Sequence, residues 1–259
     1  MARKIVVTSG KGGVGKTTFT ACLGIRLAEM GLRVALIDLD LGLNNLDVIL
    51  DVENRVVFDL IDVIEGRCRI KQALIQDADV PFLYVMPGCH SEKRSVTAQS
   101  IKVVVNRMNE LFDYILIDCP AGIDMGFHRS VVCADEAIVV TTPHVSSIRD
   151  SEKVVGILGS YRLSEIYSVI NKVRGDLILD GDMADTKEIF DRLATRPLGV
   201  IPDDDSVTFR ELKELKGAAD SAIKMIAQNL HNGAELMFDC SVKYKGFLGK
   251  LRRSLKRNA

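Results

Sequence analysis

Nowhere in this chain do 18 apolar residues follow one another, so no segment is long enough to cross a bilayer as a helix. A cleavable leader is not expected either, because Met1-Ala2-Arg3-Lys4 runs straight into the apolar Ile5-Val6-Val7. The expectation is a cytoplasmic protein. Its cysteines, at 22, 68, 89, 119, 133 and 240, include no CxxC pair and are expected to be buried thiols rather than disulfides. Residues 1–235 contain no internal repeat, no low-complexity stretch and no Pro/Gly/Ser linker, which favours one domain. Acidic residues are missing altogether from positions 241–259, where seven Lys and Arg stand, leaving −8 on residues 1–240 once those charges are taken from the net −1. An acidic body with a basic end points away from a general nucleic-acid surface and toward a tail with its own anionic partner.

What is present suits a large core, since 47% of the 259 residues are hydrophobic. Short apolar runs at Lys4–Thr8, Arg33–Asp38, Phe82–Met86, Tyr114–Asp118, Glu136–Thr141, Ile166–Asn171 and Leu198–Ile201 predict strands. Helical patterns at about 17–30, 55–65, 97–112, 124–133, 147–161, 184–195, 206–214 and 217–230 lie between them. This alternation predicts an α/β fold, a mainly parallel sheet with helices on both faces, with ligands at the carboxyl ends of the strands. The composition shift near Cys240 predicts an ATPase-sized body over 1–238 and a linker with an appended helix over 239–259.

Ser9-Gly10-Lys11-Gly12-Gly13-Val14-Gly15-Lys16-Thr17-Thr18 follows the first strand and opens the first helix. Gly10-x4-Gly15-Lys16-Thr17 fits a P-loop, whose backbone N–H groups wrap a polyphosphate while the lysine neutralises the outer phosphates and the threonine hydroxyl meets Mg²⁺. Leu36-Ile37-Asp38-Leu39-Asp40 ends the second strand and brings two carboxylates to the same edge. Leu41–Asp47 then reads as a mobile loop able to sense nucleotide. Tyr114-Ile115-Leu116-Ile117-Asp118, followed by Cys119-Pro120-Ala121-Gly122, is a Walker B arrangement in which Asp118 holds Mg²⁺ through a water and Gly122 lets an N–H approach the γ-phosphate. The guanine-reading NKxD pattern is broken in Asn171-Lys172-Val173-Arg174, which favours ATP over GTP.

Lys11 is not required for phosphate cradling within one chain. With it, Lys11–Thr17 resembles the loop of the deviant Walker A ATPases, the MinD/ParA family. The resemblance implies that Lys11 reaches the nucleotide of a partner subunit, so that two chains sandwich two ATP molecules. It implies that Asp38 supports the water shell of the metal and that Asp40 orients the attacking water. It also implies that Asn171 and the backbone around Pro202-Asp203 hydrogen-bond adenine. Water then attacks the γ-phosphate slowly, with Lys16, the partner's Lys11 and Mg²⁺ stabilising charge. The same family includes an iron–sulfur protein, and Cys119 with Cys133 is the pair that reading requires; the apolar neighbours of Cys119 argue against thiolates there.

Tyr244, Phe247, Leu248, Leu251 and Leu255 fall on one helical face, with the seven basic residues largely off it. Each basic residue near an anionic surface contributes about 1 kcal/mol, so a single copy binds membrane lipids reversibly and two copies on a dimer bind with far greater avidity. Together with Gly42-Leu43-Asn44-Asn45-Leu46-Asp47, Ser146-Ser147-Ile148-Arg149-Asp150 and Lys245-Gly246-Phe247-Leu248, the tail resembles the cell-division site-selection branch of the family. That implies a membrane-bound dimer that recruits the division inhibitor MinC, with residues 146–150 as part of its surface, and that in many bacteria is released by MinE. An FlhG-like flagellar-number ATPase and a ParA-like DNA-segregation ATPase stay open as alternatives. The first is disfavoured by Met1 lying so close to Ile5, which leaves no N-terminal extension, and the second by the acidic body.

Overall fold

The computed structural model describes residues 1–40, 45–88, 96–209, 212–246 and 249. Among these residues eight strands form one sheet: β1 (Arg3–Thr8), β2 (Val34–Asp38), β3 (Ile75–Gln76), β4 (Leu83–Met86), β5 (Tyr114–Asp118), β6 (Glu136–Thr141), β7 (Glu165–Val173) and β8 (Arg196–Pro202). Their order across the sheet is β3-β4-β2-β5-β1-β6-β7-β8, with every pairing parallel except the edge pair β3–β4. The helices are α1 (Lys16–Glu29), α2 (Leu46–Ile49), α3 (Leu60–Ile64), α4 (Ile70–Ala73), α5 (Ala98–Arg107), α6 (Met125–Val131), α7 (Val145–Leu158), α8 (Gly175–Asp180), α9 (Thr186–Leu193), α10 (Ser206–Phe209) and α11 (Ala218–Asn232).

Alternation along the strands builds two cores. Ile5, Val7, Leu36, Leu116, Ile138 and Val169 face α1 and α11. Val6, Ile37, Ile115, Ile117 and Val139 face α3, α5, α6 and α7. Because both faces are covered, the central strands are buried along their whole length, which is why they read as continuous apolar runs.

All seven predicted strands are present within a few residues of their expected ends. The short β3 carries no pattern long enough to announce it. The helix expected at 55–65 is split into a 3-10 turn at Glu53–Arg55 and α3, because Asp59 caps a fresh helix start: its carboxylate accepts from the backbone N–H groups of Ile61 and Asp62. Packing also continues past the boundary expected at residue 238. Cys240 is buried against Ile148, Ile170, Val173 and Phe190. A Cβ on Gly175 would lie 2.0 Å from the carbonyl oxygen of Cys240, so two backbones meet there. Tyr244, expected on a lipid-facing stripe, is only 5% exposed: it closes a 3-10 turn, Val242–Tyr244, that packs on α8. The rest of that stripe, Phe247, Leu248, Leu251 and Leu255, lies outside the described residues.

Candidate nucleotide site

The carboxyl ends of β1, β2, β5, β7 and β8 surround a cavity of about 860 Å³. Lys11, Gly12, Gly13, Val14, Gly15, Lys16, Thr17 and Thr18 line one side of it; Asp40, Asn171, Pro202 and Asp203 line the others. The residues singled out from the sequence thus line one cavity. Gly15 has φ 89° and is the N-cap of α1, a conformation that turns the chain sharply so that the N-terminus of the helix, with its free N–H groups, faces the cavity. Gly10 is needed for a different reason: a Cβ there would lie 2.4 Å from the backbone of Asp150, so the loop rests directly on α7.

Asp118 is fully buried at the tip of β5 and gathers the chemistry of the loop. Its Oδ1 accepts from the Lys16 ammonium at 2.9 Å and the Thr20 hydroxyl at 3.1 Å, and its Oδ2 accepts from the Thr17 hydroxyl at 2.7 Å. Thr17 and Asp118 are hard oxygen donors placed together, the set that Mg²⁺ prefers. Asp38 stands opposite Asp118 in the β2–β5 register. Both its oxygens are engaged by backbone: Asp40 N–H donates to Oδ1 at 2.9 Å, and Asn45 and Leu46 N–H donate to Oδ2 at 2.9 and 3.1 Å. Burial, and then the charge of Asp118, push the Asp38 carboxyl up to about 6. Asp38 therefore ties the end of β2 to α2 across a loop of which residues 41–44 lie outside the described residues. Asp40 is half-buried; desolvation raises its pKa while the Lys16 charge opposes the rise.

Lys11 is exposed and donates to the Ser146 hydroxyl of its own chain at 3.2 Å. It lines the cavity with Ala121, and Val145, the residue before Ser146, is 62% exposed. Within Ser146–Asp150, Ser147 and Ile148 are buried and Ser146 and Arg149 are exposed, so only the latter kind can meet a partner. At the far end of the cavity, Asn171 donates to the Val14 carbonyl at 2.8 Å and Asp203 N–H donates to the Val173 carbonyl at 3.0 Å.

Lys172 was not among the expected site residues. It has φ 58° and donates to the Gly13 carbonyl at 3.0 Å, where a β7–β8 register shift turns it toward the loop. Phe19, Cys22, Val207, Leu212 and Ile223 form the apolar end of the cavity and carry no motif. Cys119 and Cys133 are buried, and burial pushes both thiols up to about 12, the opposite of what cluster ligands require. Among the described residues, no three His, Cys, Asp or Glu side chains converge on a metal-sized site.

A glycine loop between β1 and α1, with a lysine and an acidic strand tip converging below it, defines a P-loop nucleotide-binding protein. The comparisons agree. The CobQ/CobB/MinD/ParA nucleotide binding domain matches residues 5–216. The septum site-determining protein MinD of Bacillus subtilis (strain 168) is 47% identical over 210 residues, 80% of this chain and 78% of that protein. The MinC:MinD cell division protein complex of Aquifex aeolicus superposes with a TM-score of 0.83 at 38% identity, covering 91% of this chain and 97% of that one. MinD complexed with Mg-ADP from Pyrococcus horikoshii OT3 gives 0.78 at 28% identity, over 89% and 96%. The chain belongs to the CobQ/CobB/MinD/ParA family and, within it, to the septum site-determining MinD proteins.

Proposed function

We propose that this chain is an ATP-dependent, dimerising membrane switch for division-site selection, which carries MinC to the inner face of the cell membrane and is released on ATP hydrolysis. The observation that carries the reading is Lys11: it stands exposed on the cavity rim, its ammonium engages among the described residues a surface serine and no acid, and the phosphate work within its own loop falls to Lys16. A second copy offering Lys11 across that rim completes each site. Family membership supports the nucleotide cycle, and a structural relative captured as a MinC:MinD complex supports MinC as partner. MinE, or a regulator acting as it does, fits the release step.

Mg²⁺ fits the Thr17–Asp118 oxygen pair, as the Mg-ADP of the Pyrococcus relative makes reasonable. When bound it neutralises charge on the phosphate oxygens. The rest of the chemistry falls to the protein's own residues. Lys16 leaves Asp118 for the outer phosphates, Asp40 orients the water, and the N–H groups of the loop hold the phosphate chain. No described helix is long and apolar enough to cross a membrane, and the basic tail supplies a peripheral attachment instead.

Co-sedimentation with anionic liposomes tests this reading. The full chain should pellet with ATP and Mg²⁺ but not with ADP; a chain ending at Ser241 and a Lys11→Ala chain should both stay in the supernatant. Pelleting that ignores nucleotide and tail alike rejects the switch.

A further inference from the structure

Arg26 lies on α1 one turn beyond Cys22, with 3% of its surface exposed. A guanidinium buried in a helix–helix interface costs several kcal/mol unless it is fully paired, and an apolar residue there would pack at lower cost. Arg26 is paired to three segments. Its Nε lies 3.0 Å from Asp220 Oδ1 on the first turn of α11, and its Nη2 donates to the carbonyls of Leu212 and Leu215, each at 3.4 Å. Nη1 donates to Glu29 at 2.6 Å on its own helix. Lys224 donates to Asp220 Oδ2 at 2.9 Å.

Those segments form the apolar end of the cavity. Leu212 and Ile223 line it directly. The first turn of α11 is also tied to the loop after β8, since Ala219 N–H donates to Asp204 Oδ2 at 3.5 Å and Ser206 N–H to Asp204 Oδ1 at 3.0 Å. Asp203, Asp204 and Val207 line the same end. A second tie holds the segment from outside: Lys213 lies 2.9 Å from Asp77 and 2.9 Å from Asp79, next to the edge pair β3–β4. Arg26 itself is not among the residues lining the cavity.

We propose that Arg26 is a positioning residue for the nucleotide base: by holding the Leu212 and Leu215 carbonyls and the Asp220 carboxylate, it fixes the wall of Leu212, Val207 and Ile223 against which the base packs. It sets affinity for the base and leaves affinity for the phosphates alone. This rests on the reading that the base lies toward Asn171, Pro202 and Asp203.

The test compares ADP with inorganic pyrophosphate, both with Mg²⁺, by titration calorimetry on the full chain; neither ligand promotes the ATP dimer. The variant of choice is the double Arg26→Met/Asp220→Leu, which removes both buried charges together; the ions that lose a partner, Glu29 and Lys224, reach solvent and so do not unfold the protein. Its ADP affinity should fall about tenfold, with pyrophosphate affinity unchanged within about twofold. Arg26→Lys, which keeps the charge opposite Asp220 but not the planar fork, should fall between the double variant and the wild type. Wild-type ADP affinity in the double variant, or equal weakening toward both ligands, overturns the proposal. A wild-type protein that binds ADP no more tightly than pyrophosphate rejects the base-end reading itself, and Arg26's role with it.

Discussion

Lys16 and Asp118 form an ion pair of 2.9 Å with almost no solvent around it, 7% and 1% of the two side chains being exposed. The P-loop lysine is therefore held by a strand-tip carboxylate that also holds the hydroxyls of Thr17 and Thr20. The pair stores the lysine in place before a triphosphate arrives, and it keeps the buried carboxylate from standing alone.

Replacing Lys16 with Met should thus have two separable effects. Stability of the nucleotide-free protein should fall by about 3–5 kcal/mol, the cost of breaking a buried pair and leaving one ion uncompensated, as read by urea unfolding. Hydrolysis should fall by about 10²–10³-fold through loss of a charge at the transferring phosphate. If unfolding is unchanged, Asp118 is sustained by the threonine hydroxyls and the pair is not structural.

The buried thiols predict behaviour in base. Burial pushes Cys22 and Cys119 up to about 12 from 9.0. A raised pKa in the fold favours the neutral thiol, so this stability is fully present below the unfolded value and is lost as pH rises from about 9 toward 12. Each thiol contributes up to about 4 kcal/mol over that window. At pH 8 a maleimide should leave both unlabelled in the folded protein and label both in urea. Rapid native labelling of Cys22 or Cys119 would show that their surroundings open readily.

The part of the site that sequence revealed is the part built by local chain geometry. Gly15, Lys16 and Thr17 act through one loop and one helix end, and Asp118 through the tip of one strand, so spacing is enough to find them. Asn171 was reached only through family resemblance, because its contact with Val14 joins positions far apart in the chain. Lys172 depends on a left-handed backbone beside a register shift, which no local pattern encodes. Arg26 looked like any basic residue on an amphipathic helix, since periodicity gives the face but not what covers it. Tyr244 misled for the same reason: its spacing matches the apolar stripe of the tail, yet the body covers it.

That burial makes Val242–Tyr244 a docked root for the tail. Tyr244 is held against α8, with Lys243 Nζ 5.1 Å above its ring and Lys245 paired to Asp239 at 2.8 Å. Tyr244→Ala should lower stability by about 1.5–3 kcal/mol in denaturant unfolding. Phe247→Ala should leave stability as it is and weaken ATP-dependent pelleting with anionic liposomes. The reverse pattern would return Tyr244 to the lipid-facing stripe.

Lys11 offers the sharpest division between two mechanisms, because in this chain it already has a partner, Ser146 at 3.2 Å. If it works in trans, Lys11→Ala and Asp40→Ala chains are each inactive alone but complement when mixed. In the mixed dimer, the site on the Lys11→Ala chain keeps its own Lys16 and Asp40 and receives an intact Lys11 from its partner. The other site lacks both groups. One working site in each mixed dimer restores about a quarter of wild-type ATP turnover at equal concentrations when saturating ATP makes the chains pair at random and sites act independently, and more when two Lys11→Ala chains do not pair with each other. If Lys11 serves its own nucleotide from its place beside Ser146, no combination of the two chains holds a complete site and the mixture stays as inactive as its components. Steady-state phosphate release across a series of mixing ratios decides between them: trans action gives a curve with its maximum near equal parts, and cis action gives a flat line.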